Sequence, residues 1–359
     1  MDQIRPLTDI DPGRFATPAI VRRLTAASRR LAELKGVALS IPNQAILVNS
    51  LGMQEAKDSS AIENIVTTHD ELFKEDAFPE LLHNPAAKEV RGYRQALLLG
   101  FDLVQSTSLI TVNHILAIQE EVEGNSAGFR RLPGTVLKDG AGRTVYTPPQ
   151  DHDAIVRLMR DLERFINDES LYEADPLVKM ALIHHQFESI HPFYDGNGRT
   201  GRILNVLHLV QQGLLDTPVL YLSRYIVRNK AAYYQLLQDV RNKDAWEEWV
   251  IYMLEAVDRT AGGTMATIHA IGAALLDYKR RIRAGFRFYN QDLINSLFSH
   301  PYSKIGHLER ELGVSRLTAT RYLDQLTAAG FLTKHRIGTS NYYVNTALYG
   351  ILTVADEHA

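Results

Sequence analysis

Apolar residues along most of this chain recur with helical period. Leu177, Met180, Ala181, Ile183, Phe187 and Ile190 mark one buried helix behind Asp175-Pro176. After a short polar break, Ile203, Leu204, Val206, Leu207 and Val210 mark a second. The same spacing predicts helices over Arg22 to about Lys35 and over Glu89 to Gln105, the latter with Val90, Tyr93, Ala96, Leu97 and Phe101 inward. Pro42-Asn43-Gln44 interrupts, an apolar pattern resumes over Ala45 to Gln54, and Ser59 to Lys74 reads as a further helix. Thr111 fits an N-cap for a helix starting at Val112. Trp246 to about Arg283 is helical, and residues 1 to about 20, rich in Pro and Asp, predict an extended surface arm.

Strand patterns arise in two places. Thr135-Val136-Leu137 and Thr144-Val145-Tyr146-Thr147 flank a Gly-containing turn, which predicts a β-hairpin ended by Pro148-Pro149. Near the C-terminus, Gln291 to Phe298 predicts a short helix, and Ser303 to Ser315 has the glycine turn of a helix-turn-helix. Arg316 to Ala329 supplies its second helix with Ser315 as N-cap, and Phe331 to Lys334 with Tyr342 to Val344 form a hairpin wing through Gly338. The fold expected is mainly α, with one hairpin flap and a C-terminal winged helix.

At 359 residues, 45% apolar and 23% charged, the chain has the make-up of a globular protein of two or three domains. The net charge of −3 implies no strong electrostatic partner. Cysteine is absent, so no disulfide framework exists, which fits a reducing cytoplasm. The start, Met-Asp-Gln-Ile-Arg-Pro, lacks the apolar core of a signal peptide, and no apolar run approaches the ~20 residues of a membrane span.

The break between the two buried helices carries the chemistry. It reads His191-Pro192-Phe193-Tyr194-Asp195-Gly196-Asn197-Gly198-Arg199-Thr200-Gly201-Arg202. His191 can accept a proton near neutral pH. Asp195 offers the hard oxygen that Mg2+ prefers. Gly196, Asn197 and Gly198 can expose N–H groups at a helix N-terminus, a ready anion site. Arg199 and Arg202 supply planar forks that match phosphate oxygens. The run lacks the Gly-x4-Gly-Lys-Ser/Thr of a P-loop. A zinc site from His184, His185 and His191 is conceivable on paper, but there is no His-Glu-x-x-His and no cysteine to support one.

His191-Pro-Phe, two residues, Gly196-Asn-Gly-Arg199, two residues and Arg202 match every fixed position of the signature of the Fic family. The resemblance implies a protein adenylyltransferase: a Fic enzyme moves AMP from ATP, with Mg2+, to a Ser, Thr or Tyr hydroxyl of a target protein, this chain itself included. It implies that His191 deprotonates the hydroxyl and that Asp195 holds Mg2+. The loop from Gly196 through Asn197, Gly198, Thr200 and Gly201 would contact the phosphates, with Arg199 on the β- and Arg202 on the γ-phosphate. Tyr234, in the tyrosine-rich stretch after the signature, is similar to the residue that lines the nucleotide pocket in the family. The hairpin resembles the flap that docks the target's extended segment.

Ser59-Ser60-Ala61-Ile62-Glu63-Asn64 has two readings. From the residues alone, Ser60 and Glu63 make a capping box at a helix start. The segment also resembles the family's inhibitory stretch, Ser/Thr, three residues, Glu, then Gly or Asn. That likeness implies that Glu63, with Ser59, pairs with Arg202 and blocks the γ-phosphate seat.

The organisation expected is an N-terminal helical region over 1–105 with the inhibitory helix near 59–74, and a Fic core over 106–245 with the flap at 134–149. A helical linker over 246–285 and a winged helix over 286–359 follow. Basic and acidic residues nearly balance in 286–359, so DNA binding through Arg316, Thr318, Thr320 and Arg321 is open but not favoured. A DNA-binding regulator with a Fic sensor, a kinase-like transfer, removal of AMP through Glu63 and a homodimer also stay open. Intact Gly198 favours AMP over phosphate transfer by the resemblance.

Overall fold

The computed structural model describes residues 4–78 and 84–354. Parts of the ranges above, at 1–3, 79–83 and 355–359, lie outside the described residues. The N-terminal stretch is not an extended arm. Two short 3-10 turns, Leu7–Asp9 and Pro12–Phe15, place Leu7, Ile10 and Phe15 in the core. Phe15 meets the edge of Trp246 at 6.5 Å. Apolar residues spaced too irregularly for a helix period still repay burial, and that decides the path.

Helix α1 (Pro18–Ala38) starts on the Thr17 cap, with Pro18 at the first helical position. Helix α2 (Gln44–Ile62) and helix α3 (His69–Ala77) follow. The helix expected over Ser59 to Lys74 does not exist. Helix α2 runs through Ser59 to Ile62, and Asn64, at φ 66°, ends it in the left-handed region. Ser60 is therefore in a last turn, its carbonyl accepting from the Glu63 and Ile65 N–H groups. The capping box at this point is the one on α3, between Thr68 and Glu71. Buried Ser50, Gln54, Glu55, Ser59 and Ser60 on α2 hide its period from a hydrophobicity reading.

Helices α4 (Pro85–Thr107), α5 (Val112–Glu123), α6 (His152–Asn167), α7 (Pro176–Ile190) and α8 (Asn197–Gln211) form the centre. Thr111 caps α5 as expected, accepting the His114 N–H at 3.2 Å. Helix α8 lies among α4, α5 and α7. At Gly100 a Cβ would stand 2.6 Å from the tip of Leu207 and 3.0 Å from that of Ile118, so a larger residue here would make both side chains shift. Between α5 and α6, β1 (Leu137–Lys138) pairs antiparallel with β2 (Thr144–Tyr146), Leu137 opposite Tyr146. This short hairpin is the flap.

Helices α9 (Ser223–Arg228), α10 (Lys230–Lys243) and α11 (Trp246–Gly285) complete the body. The stretch expected as a linker is one 40-residue helix, α11, and it is no spacer. It packs on α1, α7 and α10 and buries Trp249, Met253, Val257 and Ile268.

The C-terminal part comprises α12 (Gln291–Ser299), β3 (Tyr302–Lys304), α13 (Ile305–Leu312), α14 (Arg316–Ala328), β4 (Leu332–Ile337), β5 (Ser340–Asn345) and α15 (Thr346–Val354). The strands make one antiparallel sheet in the order β3-β5-β4. Gly313 at φ 63° makes the turn between α13 and α14, and Ser315 caps α14. This is a winged helix, and it seats on α2 and α3. Gln54 donates to the Leu352 carbonyl at 2.6 Å, Tyr302 donates to Asp70 at 2.7 Å, and Phe73 stacks on Tyr302. No described helix is long and apolar enough to cross a membrane.

Candidate active site

The signature joins α7 to α8 through a loop whose shape is set from within. Helix α7 ends at His191, a non-glycine residue at φ 48°. Gly196 turns the chain at φ 78° into α8. The Asn197 side chain closes the loop on the Phe193 backbone, accepting its N–H at 2.8 Å and donating to its carbonyl at 2.9 Å. The Phe193 ring is fully buried against Phe129 and Phe187. The Asn197 side chain thus staples the loop, and the backbone N–H groups beside it are what the helix start offers an anion. The first N–H with an acceptor one turn back is that of Thr200, which bonds the Gly196 carbonyl. The N–H groups of Asn197, Gly198 and Arg199 precede that point.

Thr200 and Gly201 lie in the first turns of α8. Thr200 is fully buried, and a Cβ at Gly201 would stand 3.0 Å from Phe187 and from Glu188.

Burial, then the Arg130 and Arg241 guanidiniums, push the His191 imidazole down to about 4. It is therefore neutral at physiological pH, the form in which a ring nitrogen keeps a lone pair to accept with, although the same shift makes it a weaker proton acceptor than an ordinary histidine. The Asp195 side chain is 78% exposed, and its Oδ1 accepts the Gly196 N–H at 2.8 Å. Exposed carboxylate oxygen beside an anion cradle suits a hard cation that keeps waters and phosphate ligands.

Both arginines are almost wholly buried, and both are occupied. Glu63 Oε1 accepts from Arg202 Nη2 at 2.8 Å, and Glu63 Oε2 accepts from Arg199 Nε at 2.9 Å. Arg202 also donates to Ser59, to Oγ at 2.8 Å and to the carbonyl at 3.0 Å. The expected pairing with Arg202 is present, and Glu63 spans Arg199 as well. A Cβ at Gly198 would stand 2.5 Å from Glu63 Oε1, so the carboxylate lies directly over the loop. Burial opposes its ionisation, but Arg202 and Arg199 outweigh burial and hold the Glu63 carboxyl below the usual range. Asn64 secures this position, since it turns the chain just after Glu63 and accepts from Lys230 at 2.9 Å. A residue at positive φ is why Asn or Gly follows the glutamate.

Several residues of the site carried no signal in the sequence. Arg199 also meets Glu123 at 2.6 Å and Glu89 at 3.2 Å. Surface-type glutamates on helices look alike until the chain is folded. Glu188 is buried, its Oε1 has no hydrogen-bond partner among the described residues, and burial pushes its carboxyl up to about 7. Arg241 lies over the Tyr146 ring at 4.0 Å and donates to Ser189 Oγ at 3.0 Å.

Tyr234 is 46% exposed, whereas its neighbour Tyr233 is buried and bonded to His184 Nε2 at 2.8 Å. Of the two, only Tyr234 offers a face to a ligand. His184 stacks on Trp249, and His185 packs edge-on to Trp246. They are core residues, and no cluster of metal-binding side chains occurs among the described residues.

Three family models match the chain: the Fic/DOC family N-terminal region over 21–102, the Fic/DOC family over 109–209, and the C-terminal domain of SoFic-like protein adenylyltransferases over 277–348. Protein adenylyltransferase Fic of Aedes aegypti is 31% identical over 178 residues, 48% of this chain and 33% of that protein. The Nematostella vectensis protein of the same name is 27% identical over 191 residues, 51% of this chain and 42% of that one. The chain thus spans under half the length of these curated relatives. A Fic family protein from Desulfovibrio desulfuricans G20 shares the fold with a TM-score of 0.61 at 22% identity, over 94% of this chain and 98% of that one. Fic-1 of Caenorhabditis elegans, residues 134–508, does so at 0.54 and 22%, over 70% and 74%. With its signature loop, helical core and C-terminal domain each matched in order, the chain belongs to the Fic/DOC family.

Proposed function

We propose that the chain is a protein adenylyltransferase held in a braked state by its own α2. In the reaction, a Ser, Thr or Tyr hydroxyl oxygen of a target protein attacks the α-phosphorus of ATP. The bond to the bridging oxygen breaks, pyrophosphate leaves, and the hydroxyl proton passes to His191. The neutral imidazole supports that role, because high-pKa hydroxyls need a base at the attacking oxygen. The N–H groups opening α8, with Arg199 and Arg202 once freed, suit the phosphate chain, and transfer of this kind rests on positioning and charge neutralisation. Mg2+ at Asp195 would supply neutralisation of phosphate charge. Tyr234, exposed beside buried Tyr233, suits the wall of the nucleotide pocket.

The flap suits the target. Val136 and Val145 stay partly exposed on it, as does Leu132 at its base. A short two-stranded hairpin with open edges can accept an extended segment by strand pairing. The curated relatives, named protein adenylyltransferases, support the reaction class over the aligned part.

The observation that carries the reading is the Glu63 carboxylate spanning Arg199 and Arg202 above Gly198. A carboxylate between two guanidiniums takes the seat that phosphate oxygens would use. The experiment is incubation of the parent and Glu63→Gly with labelled ATP and Mg2+, scoring covalent nucleotide on protein. Glu63→Gly should label itself strongly and the parent weakly, and Glu63→Gly with Arg202→Ala should lose the gain. Equal labelling of parent and Glu63→Gly at equal folded fraction would reject the brake. No labelling by either would reject the transferase reading.

A further inference from the structure

Arg130 lies in the segment between α5 and the flap, outside the signature, and its charge bears on His191. Arg130 is 1% exposed, and the charges that act on it come from Tyr194 and Tyr146 and from no carboxylate among the described residues. A buried guanidinium needs compensation, and here carbonyl oxygens supply it at Nε and Nη2, while Nη1 has no hydrogen-bond partner among the described residues. Nε donates to the His191 carbonyl at 2.9 Å, and Nη2 reaches the Ile190 carbonyl at 3.4 Å and the Pro149 carbonyl. The Arg130 backbone N–H donates to the Pro192 carbonyl at 2.9 Å. Its own carbonyl bonds His152 Nδ1 at 3.0 Å.

Two of these partners, the Ile190 carbonyl and that of the cap residue His191, lie at the C-terminal end of α7. A helix end leaves such groups without intrahelical partners, and it favours a cation there. His191 sits at that end in a left-handed conformation that a branched or bulky residue does not hold cheaply. The fork therefore serves as the C-cap that fixes the backbone carrying the base. The third partner, Pro149, ends the second leg of the flap. One planar side chain ties the base to the flap, the two parts that must meet an incoming hydroxyl together.

We propose that Arg130 is a positioning residue for the transfer reaction, locking the His191 backbone and the flap base in one register. This rests on the reading of His191 as the base. Lysine would restore the charge but not the fork, because a point charge cannot span three carbonyls. Arg130 also acts through its charge. The groups facing His191 are Arg130, Arg241 on α10 and Glu63 at the end of α2, with the Glu188 backbone from its own helix. The two guanidiniums hold the imidazole down and Glu63 opposes them. Loss of the Arg130 charge raises the His191 pKa, so the acid limb of the activity profile moves to higher pH.

The test uses the full chain in the Glu63→Gly background, with Arg130→Lys and Arg130→Gln. Arg130→Lys should lower kcat by about ten- to a hundredfold, the scale of a small misplacement of a reacting group, with KM for ATP nearly unchanged and the acid limb in place. Arg130→Gln should lose at least as much kcat and shift the acid limb upward. Rates within twofold of the background in both variants would overturn the proposal. So would equal losses with no displacement of the limb in Arg130→Gln, since a merely structural arginine would lower the folded fraction without moving a pH profile. Should Arg130→Gln fail to fold, histidine NMR titration of Arg130→Lys decides: an unmoved His191 pKa with reduced kcat supports the fork, and full kcat sinks it. An inactive Glu63→Gly background would count against the transferase reading and not against Arg130.

Discussion

His191, which caps α7, and Glu188 in its last turn make opposite uses of burial. Burial keeps the His191 imidazole neutral, which is the form a base requires. His191→Ala should therefore cut transfer by ~10²–10⁴-fold while leaving ATP affinity nearly unchanged, as separate binding titrations and rate measurements can determine. Full activity would remove it from the mechanism. Burial also raises the Glu188 carboxyl to about 7, with Arg202 opposing and Glu63 adding to the rise. The folded chain then holds this proton at a pH where the unfolded chain has lost it. Between the ordinary carboxylate range and about 7, folding takes up a proton, so stability falls as pH rises through that window and levels off above it. Glu188→Gln keeps the shape and removes the charge. Its gain in Tm over the parent should be larger at pH 8 than at pH 5, and Glu55, also raised to about 7, cancels in the difference. Equal gains at both pH values would mean that Glu188 does not titrate as described.

At the level of elements, the sequence made the helices around the signature legible because their apolar residues repeat without interruption. The loop was legible too, since glycine, asparagine and arginine at a helix start have few other uses. The brake segment shows the limit. Ser60 to Glu63 satisfies a capping box by residue type, yet the structure uses it as a helix end. What decides is Asn64 at positive φ together with two arginines that lie far away in sequence. Glu89, Glu123 and Arg130 stayed hidden for the same reason, because their partners are tertiary. The Asn64 turn gives a prediction of its own. Asn64→Gly keeps the left-handed turn, and Asn64→Ala pays about 1–2 kcal/mol for it. Self-labelling should rise in Asn64→Ala and stay near the parent level in Asn64→Gly, measured with labelled ATP. An equal rise in both would assign the effect to the lost Lys230 bond instead of the turn.

Across the whole molecule, the brake turn lies between α2 and α3, and the winged helix rests on both. Gln54 reaches Leu352, Asp70 and Phe73 receive Tyr302, and Lys304 stands over the Phe78 ring at 4.3 Å. From sequence, the winged helix reads as a separate unit whose removal should leave nucleotide chemistry present. The packing adds a consequence: removal also strips support from the helix that holds Glu63 in place. Ending the chain at Gly285 should therefore raise self-labelling above that of the full chain, and the rise should vanish with Arg202→Ala. A milder variant, Gln54→Ala with Tyr302→Ala in the full chain, should move in the same direction by less, because most of α2 stays packed on α4 and α9. The comparison is made at equal folded fraction, checked by thermal melting, so that lost stability is not mistaken for release. If neither variant labels itself faster than the parent, the contacts of α2 with the catalytic core hold the brake unaided, and the winged helix is only seated on it.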